Sequence, residues 1–175
     1  MRDARRSDAY AAEDAAFEGT VVAEAPGGPA LEGAIETVLA SAWWRVHVGD
    51  PAIVRGVRVR TARDSHWAPA TGTLAVDPAE PWYVVTHELA HVAVTLSMTT
   101  ATGPPDIEPH HGPRWRAWNV ALAGAAFGEP FAALLVAACD RYGLPADPRP
   151  APPPAAPLLT IATTTARRGG WRPPR

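Results

Sequence analysis

His87-Glu88-Leu89-Ala90-His91 lies in a segment, residues 81–98, that opens with Pro81 and places apolar side chains at Val84, Val85, Leu89, Val92, Ala93 and Leu96. The spacing is helical with a broad buried face, and proline suits the first helical position. On such a helix the two imidazoles stand at i and i+4, one turn apart on one face, close enough to grip a single zinc ion. Glu88, beside the first of them, reaches water at the metal rather than the metal itself, the general-base geometry of a zinc hydrolase.

A zinc ion that acts on a substrate takes three protein ligands and keeps one position open, so a third donor must come from elsewhere in the chain. The candidates are Asp106, Glu108, His110, His111 and Glu129. A metzincin would carry glycine and histidine three and six residues past the second ligand, but Val94 and Ser97 stand there, which excludes that class. His111 has the best-held backbone of the candidates. It directly precedes Gly112-Pro113, which opens a helix through Trp115, Trp118, Leu122 and Phe127. His110, its neighbour, is the main rival.

Upstream, residues 7–18 predict a short first helix, stopped by Pro26-Gly27-Gly28-Pro29. Leu31, Ile35, Val38, Leu39, Ala42 and Trp43 recur at the helical period and predict one amphipathic helix over 31–44. In residues 52–60, Val57 and Val59 alternate with Arg58 and Arg60, as in a half-buried strand. Residues 71–76 read as a second strand ended by Asp77-Pro78, with 67–76 a candidate edge beside the metal helix. After the helix that follows His111, Gly128-Glu129-Pro130 is a break and residues 131–142 form a last helix, stopped by Gly143 and Pro145. The pattern is α+β: a small β-sheet, the active-site helix and C-terminal helices. We divide the chain into an N-terminal extension with a short helix (1–30), one metallohydrolase domain (31–145) and a disordered Pro/Arg-rich tail (146–175).

The composition narrows the chemistry. The chain has 175 residues, the size of one domain with tails. Eighteen acidic against 16 basic residues leave a net charge of −2, so no global field gathers nucleic acid. Every basic residue is arginine, which removes Schiff-base and P-loop lysine chemistry. Cys139 is the single cysteine, which rules out an internal disulfide and fits a reducing compartment. No signal peptide is evident, and the longest apolar run, residues 131–139, is about half of the ~20 residues a membrane-spanning helix needs. A cytoplasmic protein without membrane association is expected. His47 and His66 adjoin tryptophans and read as structural. Trp115 and Trp118 read as core, and Arg55, Arg58 and Arg60 as a solvated strand face.

An H-E-x-x-H helix, a proline-bearing loop, and then His111-Gly112-Pro113, with Trp115 two residues on, opening the next helix resembles the SprT-like (Spartan-type) zinc metallopeptidases. It is also similar to small actinobacterial metallohydrolases of the same layout. The order of elements over residues 31–144 carries the resemblance, with identity concentrated in His87, Glu88, His91 and the His111-Gly112-Pro113 block. It implies a zincin-like fold, three ligands (His87, His91 and His111) for Zn2+, Glu88 as catalytic base, and a peptide or protein substrate. No cysteine zinc ribbon follows and the core is not strongly basic, so DNA-dependent proteolysis is not carried over. The competing reading is a zinc-stabilised binding or scaffold protein that cuts nothing.

Overall fold

The computed structural model describes residues 6–60, 65–100 and 110–161, and the side chains of all of these except 99 and 100. Among the described residues are six α-helices and a small mixed sheet: α1 (Arg6–Phe17), α2 (Gly28–Ala40), α3 (Ala42–His47), β1 (Gly56–Val59), β2 (His66–Ala68), β3 (Thr73–Val76), α4 (Val84–Thr100), α5 (Pro113–Phe127) and α6 (Glu129–Arg141). The architecture is α+β, as the sequence pattern predicts.

Both ends of the described chain pack against the helices. Helix α1 packs into the core: Ala9, Ala12, Ala16 and Phe17 are buried, and the small alanines let it lie close against α6. Residues 146–161 are laid along the helices instead of forming the start of a disordered tail. The Trp43 indole donates to the Pro152 carbonyl, and the Leu158 and Leu159 amides donate to Ala125 and Ala126. Those two carbonyls belong to the last turn of α5, which has no intrahelical donors to offer them. Composition alone misleads here because proline gives up little conformational freedom on being fixed, so a few hydrogen bonds and a buried Ala151 can hold the segment. Arg167, Arg168, Arg172 and Arg175 lie outside the described residues.

The single helix expected over 31–44 is two. Ser41, at φ −66° and ψ 150°, ends α2 and starts α3; its hydroxyl donates to the Val38 carbonyl and accepts from the Trp44 amide. Trp43 and Trp44, both in α3, are buried.

Strand order is β1-β3-β2, with β1 parallel and β2 antiparallel to β3. Leu74, Ala75 and Val76 in the central strand are all buried, while Arg58 of β1 is exposed, as the alternation predicts. The edge beside α4 is β2; β3, part of the edge expected over 67–76, is interior. The Trp67 indole of β2 donates to Thr95 Oγ1 of α4 at 3.0 Å and fastens that edge to the helix.

Helix α5 is buried on every side from Trp115 to Phe127, enclosed by α4, α6 and the 146–161 segment. Among the described residues, no helix is long and apolar enough to cross a membrane.

Gly72 makes the turn into β3 with φ +64°, and a β-carbon there would meet the Ile53 carbonyl oxygen at 2.6 Å. Gly72→Ala is expected to lower stability by about 1–3 kcal/mol in urea unfolding, from left-handed strain plus a backbone clash. An unchanged midpoint would contradict this turn.

Candidate metal centre

His87 and His91 occupy consecutive turns of α4, with ring centroids 5.3 Å apart. His111 approaches from the turn before α5. Gly112 caps that helix, Pro113 opens it, and the Arg116 guanidinium, itself buried, donates to the His111 carbonyl and to Pro145. The arginine thus clamps the backbone that presents the imidazole.

His111 Nε2 lies 3.3 Å from His87 Nε2, and one nitrogen from each of the three histidines falls within 4.8 Å of the others. Zinc–nitrogen bonds of about 2.0–2.1 Å in a tetrahedron separate the nitrogens by roughly 3.3–3.4 Å. The His87–His111 pair already has that separation, and the donor set is of a kind that holds a single divalent ion.

Burial, with the neighbouring His87 and His111 charges, holds His91 well below its ordinary pKa, which leaves its lone pair available. For His87, burial opposes protonation but the charge and hydrogen bond of Glu13 outweigh it, and the imidazole sits above its ordinary range. The hydrogen bond settles its tautomer: Nδ1 donates to Glu13 Oε2 at 2.7 Å, so Nε2 faces His111. Glu13 Oε1 accepts from Asn119 Nδ2 at 2.7 Å, and the carboxylate is 1 % exposed.

Glu88 is buried, and its Oε1 stands 4.0 Å from His87 Nε2. Its Oε2 has no hydrogen-bond partner among the described residues. Burial pushes the carboxyl up to about 7, with His87 pulling it down and Glu13 adding to the rise. A buried, unpartnered carboxylate poised near neutrality is suited to moving protons.

Aromatic rings enclose the cluster. Trp115 packs against His87, His91 and His111 at centroid distances of 4.7, 5.3 and 4.6 Å, and Tyr10 stacks on His87 at 5.0 Å with an 18° interplanar angle. A cavity of about 500 Å³ reaches His87 and Glu88 between the start of α1 (Arg6, Tyr10) and the approach to α4 (Glu80, Tyr83).

The fold brings His87, His91 and His111 together with Glu88. His110 is exposed, with its ring centroid 6.2 Å from that of His91, and is not in the cluster. Glu129 is paired with Arg149 on the surface. Asp106 and Glu108 lie outside the described residues. Cys139 is buried, its thiol pushed up to about 11, consistent with an inert core residue.

Glu13, Tyr10 and Asn119 escape a motif search. For Glu13 a signal exists: with Ala9, Ala12, Ala16 and Phe17 it occupies the apolar stripe of α1, where an ionisable side chain needs a buried partner. Comparison with protein-family models, curated proteins and solved structures finds no match for this chain.

His111→Ala is expected to abolish stoichiometric metal uptake, whereas His110→Ala retains it; elemental analysis after dialysis against zinc measures both. Equal loss in the two variants would contradict the assignment of the third donor.

Proposed function

We propose that this protein is a metal-dependent hydrolase, a zinc metallopeptidase in which His87, His91 and His111 hold the ion and Glu88 is the catalytic base. The observation that carries the reading is the buried, unpartnered Oε2 of Glu88, a side chain one residue from a proposed ligand that lines the same cavity as His87. A structural metal needs no such carboxylate. Zinc, when bound, supplies Lewis-acid polarisation of a carbonyl and brings the pKa of water down to about 7.

Within that site Glu88 takes the proton of the attacking water and returns it to the departing nitrogen, a shuttle matched to a carboxyl poised near 7. Tyr10, whose phenol is held up by burial, stays protonated and offers a donor on the cavity wall. Trp115 excludes water behind the imidazoles. The cavity is of a size that accepts a few residues of an extended chain, and its walls mix aromatic with charged side chains, Tyr10 and Tyr83 with Arg6 and Glu80. A peptide or protein substrate fits this lining, and β2 is the edge along which it would run.

The packing favours catalysis over a scaffold role. The hydrophobic core is continuous through α1, α2, α4, α5 and α6, so folding does not wait on the ion. Chelation is therefore expected to abolish hydrolysis while far-ultraviolet circular dichroism persists; cooperative unfolding on chelation would favour the scaffold. Glu88→Gln is expected to keep zinc and lose at least ~100-fold in turnover of a generic casein or peptide substrate. Wild-type turnover by that variant would remove Glu88 from the mechanism.

A further inference from the structure

We propose that Glu13 is the positioning residue of the metal centre, fixing His87 as an Nε2 ligand, and that α1 is thereby a functional part of the site. The inference rests on the metal reading above and concerns a residue that no ligand motif contains.

Glu13 is 1 % exposed, and each of its oxygens takes one donor: Oε2 from His87 Nδ1 and Oε1 from Asn119 Nδ2, both at 2.7 Å. One carboxylate thus ties α1 to α4 and α5 at the point where the imidazoles meet. With Nδ1–H engaged, the remaining lone pair of His87 is at Nε2, directed towards His111 Nε2 at 3.3 Å. Tyr10, three residues earlier and on the same side of α1, stacks on the His87 ring and sets its plane. The helix therefore controls both the tautomer and the orientation of one ligand.

Charge supports the assignment. Glu13 and Glu88 are both buried beside His87, and one imidazolium can compensate only one of them. A divalent cation on the far side of the imidazole ring compensates more, and the carboxylate in turn raises the donor strength of that ring.

The test measures Zn2+ and Co2+ affinity by chelator competition on the full chain, together with the visible absorption of the Co2+ form. Glu13→Gln keeps the hydrogen bonds, because its Oε1 can accept from His87 while Asn119 turns its amide oxygen, which has no partner among the described residues, towards the new amide. It removes only the charge. Glu13→Ala removes both. Affinity is expected to fall about tenfold in Glu13→Gln and up to about 100-fold in Glu13→Ala, with a shifted Co2+ spectrum in each.

Asp14→Asn is the control. Asp14 accepts from the Tyr83 hydroxyl on the exposed side of the same helix, and an asparagine oxygen still accepts there, so this variant removes a carboxylate charge from α1 without touching His87. It is expected to leave the affinity and the spectrum unchanged. Thermal unfolding of the metal-free proteins identifies any variant that fails to fold; if Glu13→Ala does, Glu13→Gln decides.

Wild-type affinity and spectrum in Glu13→Gln would overturn the role of Glu13, as would an equal loss in Asp14→Asn. A wild-type protein that takes up neither ion overturns the metal centre itself and this inference with it. A wild-type protein that binds metal but shows no hydrolysis leaves Glu13 in place and counts against the hydrolase reading alone.

Discussion

Glu13 is a carboxylate with almost no access to water, and the fold tolerates it by supplying a donor to each oxygen. That requirement reaches far into the structure. His87 must present Nδ1 on one side, Asn119 must project from a helix buried on every side, and α1 must lie close enough for both contacts. The alanines at 9, 12 and 16 meet the last condition, since larger side chains would hold α1 away from α6.

The same constraint explains why the imidazoles converge from two directions. α4 contributes a pair because residues four apart share a helix face, but the third imidazole needs a backbone arriving at a fixed angle. Pro113 sets the start of α5, and Arg116 pins the carbonyl of His111 while reaching Pro145. Trp115, one turn beyond His111, fills the space behind all three rings and converts what would be a wet cleft floor into an apolar wall. Interactions among charged and polar groups on the open side are strengthened in that low-dielectric surrounding.

Glu88 and Glu13 flank His87 and differ in their hydrogen bonding. Glu13 has both oxygens engaged, which suits a fixed structural charge. Glu88 leaves one oxygen without a partner among the described residues and lines the cavity, which suits a group that exchanges protons with something entering it.

Periodicity and turn chemistry made most helices and the strand alternation legible, because both are local: Pro81, Pro113 and Gly128 punctuate, and apolar spacing declares the face. His87, Glu88, His91 and His111 were legible for the same reason, as three of the four share a pentapeptide and the fourth stands against a helix start. The break at Ser41 leaves the apolar spacing over 31–44 uninterrupted, and the course of residues 146–161 depends on the orphan carbonyls of α5; neither is written in the local pattern. The choice of His111 over His110 is a matter of which neighbouring side chain turns inward, and Glu13 meets His87 across 74 residues of chain. Contacts of that separation arise from packing several elements around one core, so only the tertiary structure could decide them.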